Sequence, residues 1–202
     1  DMSTTATSVP TRRGGSWLVE TTGASDVFTP ERLSAEHRLI ARTTEEFVTG
    51  EVLPSLAKLE EKDWGLARRL LQRAGELGLL GVDVPEAYGG VGPDTVASLV
   101  VSDCMAPAAS FAATFGGQVN LTVLPIYLFG TEAQKTRYLP RLVTGEIVGA
   151  YSLSESGSGS DALGAKTRAV RQPDGSFALT GEKMWTTNGG FAVLFIVFAK
   201  VD

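Results

Sequence analysis

The sequence has 202 residues, 43% of them hydrophobic and 20% charged, enough to bury a core and to fill one large or two small domains of the usual size. Eighteen Lys and Arg against 23 Asp and Glu leave a net charge of −5, so no basic surplus points to nucleic acid or to an anionic membrane. A single cysteine, Cys104, excludes an internal disulfide, a single histidine, His37, excludes an imidazole-based metal site, and no apolar run has the length of a membrane span.

Residues 1–27 are rich in Ser, Thr and Gly and read as a flexible tail, with Trp17-Leu18-Val19 as its one apolar cluster and a possible docking point at Trp17. From Thr29 the pattern turns helical: Thr29 as cap, Pro30 at the first position, and Leu33, Leu39, Ile40, Phe47 and Val48 largely on one face predict a helix from about Pro30 to Gly50. Asp63 caps a second helix, with Leu66, Leu70, Ala74 and Leu77 as its stripe and Gly78 as its stop. The segment Val84-Pro85-Glu86-Ala87-Tyr88-Gly89-Gly90 is a connector. The stretches from Pro93 to about Phe115 and from Gln118 to Gly130 carry few charges and predict buried helices, with Pro125 kinking or ending a turn. Thr131 with Gln134 is a capping box opening a further helix, which Thr144-Gly145 closes. His37 reads as a solvated helix residue and Cys104 as a small buried hydrophobe.

After Gly145 the period becomes extended. Ile147 to Leu153, Ala165 to Val170, Ser176 to Leu179 and Val193 to Ala199 read as strands, and Pro173-Asp174-Gly175 and Asn188-Gly189 as turns, which predicts antiparallel β structure. The hydrophobic strand near Asp202 would be an exposed edge, so the sequence is expected to be part of a longer chain.

Two stretches carry candidate chemistry. In Tyr151-Ser152-Leu153-Ser154-Glu155-Ser156-Gly157-Ser158-Gly159-Ser160-Asp161, the small residues are either a flexible linker or a loop that offers N–H groups and hydroxyls to a phosphate or a flat polar ring. Asp161 would cap the segment after it or hold the loop shape. In Gly181-Glu182-Lys183-Met184-Trp185-Thr186-Thr187-Asn188-Gly189-Gly190, either Asn188-Gly189 turns a hairpin with Trp185 in the core, or Trp185 is a stacking surface and Thr187 a donor to the same ligand.

These stretches come after Phe129-Gly130-Thr131-Glu132-Ala133-Gln134-Lys135-Thr136-Arg137-Tyr138-Leu139-Pro140. With Gly75 to Gly81, Pro85 to Gly90 and Leu194 to Lys200, they resemble the acyl-CoA dehydrogenase family from about Phe28 to Asp202. The lead-in Trp17-Leu18-Val19-Glu20 and Asp26-Val27-Phe28-Thr29-Pro30 looks most like its very-long-chain branch. The resemblance implies an α+β chain: residues 28–145 as an all-α N-terminal domain, residues 146–202 as a truncated antiparallel β-barrel middle domain, and the C-terminal helical domain absent. It implies FAD, lined by Tyr151, Leu153 and Ser154, with Ser154 where a Thr is usual, Gly159 and Ser160 at the pyrophosphate, Trp185 over the ring, and Thr186 and Thr187 at its edge. Ser160, with Leu121 and Leu124 of the segment that floors the acyl pocket, would meet the acyl-CoA.

The implied activity is removal of an α-proton and a β-hydride from a medium to long straight-chain fatty acyl-CoA, giving a trans-2-enoyl-CoA in fatty acid β-oxidation. Electron-transfer flavoprotein would reoxidise the flavin. The catalytic base is expected beyond Asp202, leaving the 202 residues inactive alone, and Glu155 is expected to shape its loop. A homo-oligomer built through the absent domain is implied, cytoplasmic in a bacterium or in the matrix of a mitochondrion. Ser156 departs from the usual Pro, and Thr122 and Pro125 stand where long-chain members have small glycines. An acyl-CoA oxidase or flavin monooxygenase relative, or a non-catalytic module of the same fold, remain the alternatives.

Overall fold

The structure is a computed structural model that describes residues 19–21, 23 and 28–201, so most of the predicted tail, Trp17 included, lies outside the described residues. The first helix starts later than its sequence suggests. Pro30–Arg32 forms only a 3-10 turn, Thr29 makes no side-chain cap, and α1 runs Ala35–Phe47 from Ser34. The Ser34 hydroxyl accepts from the His37 N–H at 3.1 Å, and the Ser34 N–H donates to His37 Nδ1 at 3.3 Å, a reciprocal pair that satisfies two otherwise orphaned donors. His37 is therefore not solvated: its side chain is 14% exposed, and Nε2 lies 2.8 Å from Asp94 Oδ2, tying the start of α1 to the residue that caps a later helix.

A π turn, Val48–Val52, and a 3-10 turn, Leu53–Ser55, lead into α2 (Leu56–Glu60). Asp63 caps α3 (Trp64–Glu76) by accepting from the Leu66 N–H, and Gly78, at φ +77°, ends the run as its sequence predicts. α4 spans Thr95–Met105 and is capped by Asp94. The helix predicted from Pro93 to Phe115 is broken, because Pro107 confines residues 106–108 to a 3-10 turn and Ala109 takes φ +49° before α5 (Ser110–Gln118). The next predicted helix opens as a π turn, Val119–Val123, and continues as α6 (Leu124–Phe129) with Pro125 in its first turn. α7 (Glu132–Val143) starts at the Thr131–Gln134 capping box.

The α1, α3, α4 and α5 faces meet around Phe47, Val52, Leu71, Leu80, Met105 and Phe111, all at most 2% exposed. Each such side chain contributes about 1.5–3 kcal/mol by leaving water. A smaller cluster of Val84, Val123, Leu139, Leu142, Val143 and Ile147 seats α7 under the start of the strands. Cys104 is half-buried, with Glu45 Oε1 at 3.9 Å from its sulfur, rather than in the core.

The strands are β1 (Gly149–Ser152), β2 (Arg168–Arg171), β3 (Phe177–Thr180), β4 (Leu194–Val197) and β5 (Lys200–Val201). Only β2 and β3 pair antiparallel, across the predicted turn at Pro173-Asp174-Gly175. β4 runs parallel to β1 and β5 parallel to β2, and the described strands form two small sheets with no closed barrel. The direction follows from connectivity: β1 and β4 are joined by a long crossover, not a hairpin.

α5 and its π turn press on β1. Gln118, fully buried, donates to Leu142 O (2.9 Å) and Ile147 O (3.0 Å) and accepts from Gly149 N–H (2.8 Å). At Gly149 a Cβ would fall 2.1 Å from Thr122 Cγ2, so the strand approaches the helix only because position 149 is glycine.

Candidate functional site

β1 ends at Ser152 and the chain enters a tight loop whose base is closed by Glu155 N–H to Ser158 O (2.9 Å) and Ser158 N–H to Glu155 O (3.1 Å). Asp161 caps the 3-10 turn at Ala162–Gly164 through the Gly164 N–H, and the Ser158 hydroxyl donates to Asp161 O at 2.6 Å. This is an ordered loop, not a linker. Gly159 and Ser160 are exposed, and at both Gly157 and Gly159 a Cβ would meet nothing within 4 Å. The fold leaves room for a side chain at both positions, so glycine there is not set by packing.

Glu155 is the knot of this loop. Its carboxylate is buried and accepts from the Lys166 N–H, the Lys183 ammonium, and the Thr167 N–H and hydroxyl. The Lys166 N–H first, then Lys183 and the Thr167 hydroxyl, hold its pKa far below the ordinary glutamate value. A carboxylate held by four donors stays ionised, in keeping with a loop-shaping part.

The stretch 181–193 lies between β3 and β4 without helix or strand of its own. Asn188-Gly189 does not turn a hairpin, and Trp185 does not fill the core: it is 85% exposed, with φ +59°, and Asn188 takes φ +65°. Two left-handed residues so close together break any strand ladder and turn the indole outward. The segment is held from other elements. The Met184 N–H donates to Ser154 O at 3.0 Å, Lys183 Nζ donates to Leu153 O at 2.9 Å, and the Ser152 and Thr186 hydroxyls lie 3.3 Å apart. Asn188 Nδ2 reaches Thr114 O (3.0 Å) on α5 and Gly149 O (3.3 Å) on β1, while its Oδ1 is buried without a partner. A Cβ at Gly117 would come within 3.0 Å of Thr187 Cγ2, so α5 lies directly under the threonine. Beyond the turn, Phe191 stacks on Trp64 at 5.2 Å, and Arg68 donates to its carbonyl.

The structure thus brings Leu153 and Ser154 directly against the Lys183–Thr186 strip, with Thr187 next along and Tyr151 packed on Phe198 at 5.0 Å. Gly159 and Ser160 stand on the adjoining loop. Leu121, on the π turn that packs on β1, is exposed, and Leu124, the first residue of α6, is half-buried. Thr122 is fully buried, its hydroxyl donating to Gly117 O and its methyl in the space left by Gly149; its bulk is absorbed by the strand rather than by a cavity. An apolar cleft of about 460 Å³ lies beyond, between Pro125, Ile126, Phe129 and Tyr138 on one side and Phe195 and Phe198 on the other.

The acyl-CoA dehydrogenase N-terminal domain matches residues 34–146, and the acyl-CoA dehydrogenase middle domain matches residues 150–202. The chain belongs to the acyl-CoA dehydrogenase family. A probable acyl-CoA dehydrogenase of Bacillus subtilis (strain 168) is 48% identical over 192 residues, which is 95% of this chain and 32% of that protein. A probable short/branched chain specific acyl-CoA dehydrogenase of Dictyostelium discoideum is 39% identical over 173 residues, 84% of this chain and 41% of that protein. The crystal structure of an acyl-CoA dehydrogenase complexed with FAD from Bacillus anthracis superimposes with a TM-score of 0.91 at 53% identity, covering 95% of this chain and 33% of that one. The chain therefore spans about a third of the length of these two Bacillus proteins and less than half of the Dictyostelium one. Within this acyl-CoA dehydrogenase fold, sequence reasoning passed over Lys183, Asn188 and Gln118 as site supports. An amide inside the uncharged run 106–130, shared only with Asn120, was the available signal for Gln118.

Proposed function

We propose that this chain supplies the helical unit, residues 28–145, and the flavin-contacting strands, residues 146–202, of a longer FAD-dependent acyl-CoA dehydrogenase. The observation that carries this is an outward-turned indole at Trp185, in a strained backbone, beside a hydroxyl-bearing strip and a loop whose glycines the fold itself does not need. That surface fits a flat ring carrying a pyrophosphate. Tyr151, Leu153, Ser154, Trp185, Thr186 and Thr187 would hold the ring, Gly159 and Ser160 the pyrophosphate, and Ser160, Leu121 and Leu124 the acyl-CoA. When bound, FAD supplies a hydride acceptor. The chain's residues exclude water from one face of the ring and donate hydrogen bonds to its edge.

The substrate is a fatty acyl-CoA thioester and the product its trans-2-enoyl-CoA, with electron-transfer flavoprotein as the electron acceptor. The medium to long chain preference rests on the likeness of the lead-in before Pro30. The α-proton acceptor is assigned to a part of the protein outside this sequence, and Glu155 to shaping its loop, where its carboxylate is bonded to Lys166, Thr167 and Lys183. That part also builds the homo-oligomer, and the protein works in the cytoplasm of a bacterium. Among the described residues no helix is long and apolar enough to cross a membrane. The test is anaerobic turnover of palmitoyl-CoA by the full-length protein with electron-transfer flavoprotein, followed by mass spectrometry of the thioester. Trans-2-hexadecenoyl-CoA supports the reading; rapid hydrogen peroxide formation in air, with no transfer to the flavoprotein, would make it an oxidase instead.

A further inference from the structure

The strip that carries Trp185, Thr186 and Thr187 has no ladder of its own, so its position is set by contacts to other elements, with the Ser152–Thr186 hydroxyl pair in its middle and an anchor at each end. Downstream, Asn188 is tied to α5 and β1. Upstream, one side chain makes two ties at once. Lys183, with its side chain 10% exposed, places its ammonium 2.9 Å from Leu153 O and 2.7 Å from Glu155 Oε1. The next residue closes the same seam, through the Met184 N–H to Ser154 O. We propose that Lys183 is a positioning residue that straps the Trp185–Thr187 strip to the Leu153–Glu155 loop, and so sets the spacing between the two halves of the flavin surface. Its consequence for cofactor binding rests on the flavin reading of that surface.

Three features of the site call for a cationic side chain with more than one N–H there. Glu155 is a buried anion that accepts from Lys166 and Thr167 as well as from Lys183, and of these donors only the ammonium belongs to the 181–193 segment, so it ties the carboxylate to that segment directly. The carbonyl of Leu153 receives a second proton from the same nitrogen, which a carboxamide or thioether could not supply together with the charge. Trp185 comes two residues later in a left-handed conformation, so a displacement of the backbone at 183 is carried outward into the direction of the indole.

The test compares Lys183→Met and Lys183→Arg with the unaltered full-length protein, first without FAD by amide hydrogen exchange. Exchange at Met184 is expected to rise about tenfold or more in Lys183→Met, to return to within about threefold in Lys183→Arg, and to stay unchanged in the amides of α3, α4 and α5. Titration with FAD then reads the consequence: Lys183→Met weakens uptake by about tenfold and changes the shape of the bound flavin's visible bands, and Lys183→Arg restores both. Unchanged exchange at Met184, or loss of protection throughout the helices, overturns the strap. Local loss at Met184 in a full-length protein whose unaltered form takes up no FAD upholds the strap and overturns the flavin reading instead.

Discussion

Glu155 shows how one side chain sets the pH behaviour of the site. Its folded pKa lies below the ordinary value of 4.5, so its contribution to stability is complete above that value and declines as pH falls below it, where only the unfolded chain gains the proton. Glu155→Gln should lower the urea midpoint at pH 7, and the gap between variant and parent should narrow at pH 4 and below. A gap that stays constant across that range would show that the carboxylate charge is not what the loop uses. Gly149 is the second decisive residue. Gly149→Ala should cost about 1–3 kcal/mol by forcing a Cβ into Thr122, and Thr122→Gly in the same chain should return most of it, as a double-mutant cycle in urea would register. Additive effects would mean that the two residues are not in contact.

At the scale of elements, α5 and its π turn are the platform on which both the strands and the 186–188 strip rest. Gln118 satisfies three backbone groups there while itself fully buried. Gln118→Leu should therefore cost about 3 kcal/mol, read from equilibrium unfolding, because each buried group left unpaired costs about 1–3 kcal/mol. A loss below about 0.5 kcal/mol would put the docking of α7 and β1 on apolar contacts alone. The elements also divide by how far they can be read from sequence. The caps at Asp63 and Thr131, the stop at Gly78 and the turn at Pro173-Asp174-Gly175 are legible, because each is decided within four residues. The start of α1 is not, since Thr29-Pro30 and Ser34 both offer a cap and only Ser34 has a reciprocal partner in His37. The parallel pairing of β1 with β4 is illegible for another reason: no local pattern says which distant strand a run will meet.

For the whole molecule, the same distinction separates the surface residues of the site from their supports. Trp185, Thr187, Gly159 and Ser160 stand out in sequence by type and order, whereas Lys183 and Asn188 act through partners 28 to 74 residues away and show no local sign of it. The fold thus presents a flat, hydroxyl-edged face on a helical platform, held by two anchors, within a chain that spans less than half the length of its relatives. The claim that this face receives a flavin that is reduced by a fatty acyl-CoA is tested most directly by the visible spectrum of the full-length protein, before and after anaerobic addition of palmitoyl-CoA. Flavin bands that bleach on addition are the predicted result; a protein that carries no flavin bands, or bands unchanged by any acyl-CoA, would contradict it.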